Sequence, residues 1–126
     1  MPPKVVDSVG WIAYFMDDPV AKSYEEYIVR QWDIICPSIV VYEVSKKIEQ
    51  QSSAQASVMA VAQLMKTRIV PLDTSIATFA AKVSIVHKLS VADSVIYATT
   101  LLSHATLMTS DAHFKDLPHV QFIPLP

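Results

Sequence analysis

Short apolar runs alternate with longer segments of helical character along most of the chain. The short runs are rich in β-branched residues, which favour strands, and they cover residues 4–7, 33–36, 68–72, 105–109 and 120–123. The segments between them carry apolar residues at helical spacing or have a helix-favouring composition, and they cover residues 9–15, 20–31, 39–50, 55–67, 73–88 and 91–103. Strands that alternate with helices usually form a parallel sheet covered on both faces. The pattern therefore predicts an α/β fold, a three-layer α/β/α sandwich with a mainly parallel central sheet.

Turns must be marked mostly by residues other than glycine, because Gly10 is the only glycine in the chain. Prolines take that role, and they stand at positions 19, 37, 71, 118 and 124. No linker, repeat or low-complexity stretch interrupts the 126 residues, a length that is usual for one domain. We therefore expect a single domain over residues 1–126.

Composition narrows the class of protein. The chain is 52% hydrophobic and 17% charged, which supports an apolar core and excludes a disordered chain. Its net charge of -2 excludes a protein that holds nucleic acid mainly by neutralising phosphates, so a nucleic-acid role needs a local site. Cys36 is the only cysteine, which excludes an intrachain disulfide and a cysteine cluster for zinc.

The N-terminal residues lead directly into the first strand run. They contain neither the longer apolar region of a signal peptide nor an apolar run of about 20 residues that would span a membrane. A single cysteine is also typical of a reducing compartment. We therefore expect a cytoplasmic protein with no membrane segment.

Four acidic residues stand where a parallel sheet would collect them, because its functional crevice lies beyond the carboxyl ends of the strands. Asp7 ends the first strand run, and Asp111 follows the run at 105–109. Asp93 lies in the first turn of a long apolar helix, and Glu43 has apolar neighbours on its own helix. These four carboxylates are the candidate site residues.

Each position also suits an ordinary structural role. The two strand-end aspartates could cap the segments that follow them, because an Asp side chain accepts hydrogen bonds from free backbone N–H groups. Ser90 and Asp93 have the spacing of a capping box, and Glu43 could pair with Lys47 four residues later. Taken singly, each residue leaves both interpretations open, whereas the set of four favours a site.

Four carboxylates around one crevice would repel one another and raise each other's pKa unless a cation compensates. Oxygen ligands without His or Cys suit Mg²⁺, or alternatively Mn²⁺, held by a few carboxylates together with water and substrate phosphates. One or two such ions activate water for attack on a phosphodiester and stabilise the leaving oxygen. The pattern therefore indicates phosphodiester hydrolysis.

Two other features are given less weight. The four histidines form no recognised metal-ligand pair, and His113 and His119 fall in a polar loop where exposed histidines are common. A phosphoacceptor receiver domain also carries acidic residues at strand ends. It would have an adjacent acidic pair, however, where this chain has Asp7 followed by Ser8.

Four short motifs contain the candidate carboxylates, and they resemble the acidic motifs of PIN-domain ribonucleases. They are Val5-Val6-Asp7-Ser8, Tyr42-Glu43-Val44, Ala92-Asp93-Ser94-Val95-Ile96-Tyr97-Ala98 and Thr109-Ser110-Asp111-Ala112-His113-Phe114. The small size and the order of the motifs are most similar to VapC-type toxins of toxin–antitoxin pairs. The resemblance covers about residues 4–125, nearly the whole chain.

The resemblance implies a Mg²⁺-dependent endoribonuclease with this PIN-like fold. Its catalytic and metal-binding residues would be the four carboxylates, Asp7, Glu43, Asp93 and Asp111. The hydroxyls of Ser8 and Thr109 would lie near the attacking water or the phosphate, and the alternative for these two residues is a helix cap and a turn hydrogen bond.

Three partners follow from the same resemblance. They are an RNA substrate, a second copy of the chain in a homodimer, and a small antitoxin that inserts a basic side chain into the acidic groove. Two departures from the family pattern concern substrate contacts more than metal binding: 103–105 lacks a common glycine, and Ser110 replaces a larger polar or basic residue. The alternative function is a PIN-like module that has lost turnover and only binds protein or RNA.

Overall fold

The protein is described by a computed structural model that covers residues 2–30 and 33–126. Five strands form one sheet, and they are β1 (Lys4–Val6), β2 (Ile34–Pro37), β3 (Arg68–Val70), β4 (Thr106–Thr109) and β5 (Val120–Phe122). Every pairing is parallel, in the order β3-β2-β1-β4-β5. The predicted α/β fold with a parallel central sheet is confirmed.

Within the described residues, six α-helices connect the strands, and a short 3₁₀ helix follows β4. The helices are α1 (Ser8–Phe15), α2 (Ala21–Ile28), α3 (Ser38–Gln51), α4 (Ala54–Leu64), α5 (Thr74–His87) and α6 (Val91–Leu102), and the 3₁₀ helix is Ala112–Phe114. Each of the six predicted helical segments corresponds to one of them. The predicted end of the second segment at Gln31 lies outside the described residues.

Some predicted boundaries are wrong, for local reasons. The helix predicted over 55–67 ends at Leu64, whose carbonyl accepts the hydroxyl of Thr67 at 2.6 Å in the turn that follows. The strand predicted over 68–72 ends at Val70, because Pro71 has no N–H to donate to the ladder. Pro37 was expected to stop β2 but is its last residue, paired with Val70.

The order of the strands locates the functional edge of the sheet. The chain runs from the central β1 outwards to β2 and β3, and then returns across β1 to β4 and β5. Because crossovers between parallel strands are right-handed, the outward and return connections place their helices on opposite faces. The reversal also makes the boundary between β1 and β4 the switch point at which parallel sheets bind ligands. The order differs from the 2-1-3-4-5 order of receiver-like sheets, which excludes that alternative.

The core explains where the single glycine stands. Tyr24 of α2 is fully buried, and its ring lies directly against Gly10 of α1. A Cβ atom at position 10 would lie 2.5 Å from Cε1 of that ring, far inside van der Waals contact. Gly10 therefore lets α1 and α2 approach closely beside the start of α1.

Helix α6, in the return connection from β3 to β4, is extensively buried. Ser94–Thr100 of α6 are all buried, and α6 contacts α5, β4, β2 and α3. Among the described residues, no helix is by itself long and apolar enough to cross a membrane. Helices α5 and α6 reach that length and apolar composition only when they are taken together, and the chain bends by 111° at the break between them.

Candidate active site

The candidate carboxylates reach one edge of the sheet through the directions of their elements. Asp7 directly follows β1 and caps α1, and Asp111 follows β4 and caps the 3₁₀ helix. Glu43 lies in the second turn of α3, which begins where β2 ends. Helix α6 returns antiparallel to the strands, so Asp93 in its first turn also lies at the carboxyl edge. All four positions therefore meet at the β1–β4 switch point.

Asp7 is the most buried of the four carboxylates, with 2% of the residue exposed. Its Oδ1 accepts the backbone N–H of Ser8 at 2.8 Å, and its Oδ2 accepts the hydroxyl of Thr109 at 2.6 Å. The Thr109 hydroxyl oxygen in turn accepts the backbone N–H of Asp111 at 3.0 Å. The side chain of Thr109 therefore links the carboxylates that follow β1 and β4.

Burial raises the pKa of Asp7 from 3.8 to about 6. The hydrogen bonds from Thr109 and Ser8 oppose this rise, and the negative charges of Asp93 and Glu43 add to it. A carboxylate with a raised pKa is unstable as an isolated charge in the folded protein. Such a group gains from any cation that binds beside it.

Glu43 is joined to Asp7 through a hydroxyl. The side chain of Ser8 donates to Oε1 of Glu43 at 2.9 Å, and it lies 3.4 Å from Oδ1 of Asp7. Burial raises the pKa of Glu43, and the charge of Asp93 adds to the rise. The Glu43–Lys47 surface pair considered from the sequence is wrong, because no ion pair joins these two described residues.

Asp93 and Asp111 meet at the imidazole of His113. Nδ1 of His113 lies 3.0 Å from Oδ1 of Asp111 and 3.7 Å from Oδ2 of Asp93. Burial raises the pKa of Asp93, and the charge of Asp111 raises it further. A side-chain hydrogen bond with Ser90 and the electrostatic effect of His113 lower it. The predicted capping contact is present, since the backbone N–H of Asp93 donates to Oγ of Ser90 at 3.3 Å.

Ser110, which lies between Thr109 and Asp111, is held by a contact with helix α2. Oγ of Ser110 lies 2.7 Å from the hydroxyl of Tyr24, the buried ring that contacts Gly10. Burial raises the pKa of Tyr24 to about 12, and the charge of Asp7 contributes to the rise. The Tyr24 hydroxyl therefore stays protonated and holds the backbone that carries Asp111.

The donor set fits a divalent cation. The carboxylates of Asp7, Glu43 and Asp93 all have raised pKa values, and each carries a contribution from a neighbouring negative charge. Within residues 2–30 and 33–126, no Lys or Arg forms an ion pair with these carboxylates. Oxygen donors in this number and with this unbalanced charge are those that Mg²⁺ and Mn²⁺ prefer.

The structure thus brings together all four carboxylates predicted from the sequence, and their catalytic and metal-binding roles stay a prediction. Ser8 and Thr109 also lie in the site, but their hydroxyls bind carboxylates and act here as positioning groups. Contact of either hydroxyl with a substrate stays a prediction as well. His113 was assigned no part in the site and lies against two of its carboxylates. The signal for it was its place two residues after Asp111, in the turn that follows a strand.

Known proteins show the same architecture. A family model of the PIN domain matches residues 4–120 of the chain. A toxin–antitoxin complex from Klebsiella pneumoniae has a similar structure, with a TM-score of 0.79 and 24% identity over 94% of this chain and 95% of that one. VapC20 of Mycobacterium tuberculosis, described as a sarcin–ricin loop cleaving toxin, has a TM-score of 0.78 and 17% identity over 96% and 99% of the two chains.

A third similar structure is VapBC2 from Rickettsia felis bound to a DNA fragment from its promoter. Its TM-score is 0.72, with 14% identity over 94% of this chain and 96% of that one. No curated protein matches the sequence. At these identities the structural likeness establishes the fold, and the family model extends over most of the chain. The chain therefore belongs to the PIN domain family.

Proposed function

We propose that this protein is a metal-dependent endoribonuclease that acts as the toxin of a toxin–antitoxin pair. The observation that carries the proposal is the convergence of four carboxylates at the switch point of the sheet, with the buried Asp7 at a pKa of about 6. Such a concentration of negative charge is costly unless a cation neutralises it. Membership of the PIN family and the likeness to VapC-type structures support the same conclusion.

Each residue of the site has a defined part in the proposed reaction. Asp7 and Glu43 would hold the cation, with Ser8 fixing the distance between their side chains. Asp93 and Asp111 would hold it as well, and Thr109 keeps the two strand ends in register. When bound, Mg²⁺ or Mn²⁺ would supply a nucleophile from water at neutral pH and neutralise charge on the phosphodiester.

The substrate we propose is RNA. An acidic crevice repels a polyanion, so the bound cation must provide the attraction for the phosphate in place of a basic surface. The net charge of -2 agrees with recognition at this one site. The description of the similar M. tuberculosis protein as a sarcin–ricin loop cleaving toxin supports an RNA target.

The partner we propose is a small antitoxin whose chain covers the site. Two apolar grooves flank α1, each of about 300 Å³. Phe15, Ile48 and Met59 line one groove, and Ile12 and Val20 line the other. The similarity to toxin–antitoxin complexes supports an antitoxin as the partner. A segment with apolar residues for a groove and a basic residue for the carboxylates would complement both surfaces.

Two further expectations belong to the proposal. We expect a homodimer, which light scattering of the purified protein would reveal as twice the chain mass of 14.0 kDa. We also expect the protein to act in the cytoplasm, where an RNA substrate and an antitoxin are both present. Neither expectation is needed for the chemistry of the site.

The proposal is tested by incubating the purified protein with a pool of structured RNAs, in Mg²⁺, in Mn²⁺ and in EDTA. Asp7→Asn and Asp93→Asn should each lower the cleavage rate at least about 100-fold, because each removes a negative charge that would hold the cation. Asp17→Asn is the matched control, since Asp17 is exposed at the far end of α1 and its positive φ of 54° suits Asn.

Cleavage that needs metal and both site aspartates, but not Asp17, would establish the nuclease. A folded wild-type protein, free of antitoxin, that cleaves none of the RNAs in either metal would support the alternative of a PIN-like binding module. Cleavage that continues in EDTA would overturn the metal-dependent mechanism.

A further inference from the structure

His113 is held against the carboxylates by its own backbone. Asp111 caps the 3₁₀ helix, and its Oδ1 accepts the backbone N–H of His113 at 2.9 Å. The same oxygen lies 3.0 Å from Nδ1 of the His113 ring. The backbone and the ring of His113 therefore both contact Oδ1 of Asp111. These two contacts fix which side of the ring faces the site.

The ring also approaches a second carboxylate. Nδ1 lies 3.7 Å from Oδ2 of Asp93, a residue of a different helix. One ligand atom from each of Asp93, Asp111 and His113 fits within 4.8 Å of the others. Ligands about 2.1 Å from one ion are about 3 Å apart when adjacent and about 4.2 Å apart when opposite. The two distances from Nδ1 of His113, 3.0 Å and 3.7 Å, lie within this range.

We propose that His113 supplies a nitrogen ligand to the cation held by Asp93 and Asp111, and that this ligand makes the site prefer Mn²⁺ to Mg²⁺. Imidazole nitrogen binds first-row transition metals well, whereas Mg²⁺ favours oxygen ligands. The inference rests on the proposed function only for the presence of a divalent cation. It adds a nitrogen ligand to the four carboxylates.

The surroundings of the ring allow this role. The His113 side chain is 75% exposed, so Nε2 faces solvent and can carry the proton of a neutral ring. In that tautomer, Nδ1 can direct its lone pair at a cation that lies between it and the two carboxylates. The opposite side of the site differs, because Asp7 and Glu43 are linked by the Ser8 hydroxyl and offer only oxygen.

A simpler role for His113 would be a hydrogen-bond donor that orients Asp111. The two roles differ in what they predict for the metals. A donor to Asp111 affects the binding of Mg²⁺ and Mn²⁺ to a similar extent, because the carboxylate serves both ions. A nitrogen ligand affects Mn²⁺ selectively and leaves a nitrogen signal on the bound ion.

The first measurement is calorimetric titration of the metal-free protein with Mn²⁺ and with Mg²⁺, at one pH throughout. The variants are His113→Gln, which keeps a polar side chain with an oxygen, and His104→Asn as the control. His104 is exposed at the amino edge of β4, and its positive φ of 53° suits Asn. His113→Gln should weaken Mn²⁺ binding at least about tenfold and Mg²⁺ binding less than about threefold. The control should change neither.

The second measurement is pulsed electron paramagnetic resonance of the bound Mn²⁺, which detects a directly coordinated ¹⁴N nucleus. Nitrogen modulation should appear in the wild type and in His104→Asn and vanish in His113→Gln. Equal weakening for both metals, absence of nitrogen modulation, or absence of Mn²⁺ binding by the folded wild type would each overturn the inference.

These readouts do not depend on RNA cleavage. A nitrogen signal that His113→Gln removes would uphold the inference even if no RNA is cleaved, in which case only the proposed nuclease fails. Metal-dependent cleavage without that signal would uphold the nuclease and remove His113 from the set of ligands.

Discussion

The carboxylate site has two halves, and the most buried carboxylate, Asp7, lies in one of them. The inner half consists of Asp7 and Glu43 with Ser8 and Thr109, and Asp7 is only 2% exposed. The outer half consists of Asp93, Asp111 and His113, whose side chains are 19%, 26% and 75% exposed, respectively. The inner carboxylates are held by hydroxyl groups, and the outer pair meets at an imidazole ring.

This difference shows how one site can be both rigid and adaptable. A buried charge that accepts short hydrogen bonds cannot reorient, so Asp7 would provide a fixed ligand at a cost in stability. The His113 side chain is 75% exposed, so it can adjust to the size of the cation and to the phosphate. We therefore expect the inner half to set the position of the ion and the outer half, through His113, to set which ion is preferred.

The largest expected effect distinguishes the halves by stability. Asp7→Asn should stabilise the metal-free protein at pH 7 by up to about 3 kcal/mol, because it removes a carboxylate whose pKa is raised from 3.8 to about 6. Asp111→Asn should change stability by less than about 0.5 kcal/mol, since Asn also caps the 3₁₀ helix. Chemical denaturation of both variants measures the difference. Equal changes in unfolding free energy for the two variants would contradict the distinction between the two halves.

The same carboxylate predicts a dependence on pH. Because the folded protein binds the Asp7 proton more tightly than the unfolded chain does, the stability of the wild type should fall as pH rises from about 4 to about 6. Above that range, the stability that the Asp7 proton contributes is lost. The difference in unfolding free energy between wild type and Asp7→Asn, measured across pH 3.5–7.5 in EDTA, should grow in this window. A constant difference would contradict the raised pKa.

Thr109→Val should destabilise the protein by about 2 kcal/mol at pH 7. The change keeps the shape of the side chain but removes the 2.6 Å hydrogen bond to Asp7 and the acceptor for the Asp111 backbone. The pKa of Asp7 should rise further, since this bond lowers it. Thr78→Val on the exposed side of α5 is the matched control, and its effect should stay within about 0.5 kcal/mol.

Gly10→Ala tests the support behind the site. At an exposed position within a helix this change stabilises by about 1 kcal/mol, whereas here it should destabilise by about 1–2 kcal/mol, because the new Cβ meets the Tyr24 ring at 2.5 Å. Thermal unfolding gives the sign. Since Tyr24 also binds Ser110, the variant should cleave RNA more slowly even below its melting temperature. Stabilisation by Ala would contradict the close packing of α1 on α2.

The smallest expected effect concerns the hydroxyl between the two inner carboxylates. Ser8→Ala should cost about 1 kcal/mol, because it removes the 2.9 Å hydrogen bond to Glu43 but keeps the backbone N–H that Asp7 accepts. Ser23→Ala, at an exposed position of α2, is the control. A loss of metal affinity in Ser8→Ala with no change in Ser23→Ala would assign Ser8 a positioning role.

Local patterns predicted the places of the carboxylates better than their contacts. Asp7 and Asp111 could be assigned to the functional edge because a residue that follows a parallel strand must lie there. The capping roles considered for both residues also occur, together with their place in the site. For Glu43 the local alternative was wrong, because its partner is Ser8, 35 residues away in the chain, and not Lys47 on the same helix.

His113 shows the limit of such reasoning. Its spacing from Asp111 is local and visible in the sequence, but its approach to Asp93 depends on how α6 packs beside β4. No periodicity within either segment reports that packing. The imidazole was therefore set aside as an exposed loop residue, although it lies between two carboxylates.

The sequence by itself determined the alternation of strands and helices, and with it the parallel α/β fold and the edge at which four carboxylates gather. These properties depend on residues close together in the chain, on β-branched runs, apolar periodicity and strand ends. Only the tertiary structure decided that Asp7 is buried, that its pKa is raised to about 6, and that its partner is Thr109, 102 residues away. Desolvation and hydrogen bonding act through space, so they become defined only when distant segments pack together.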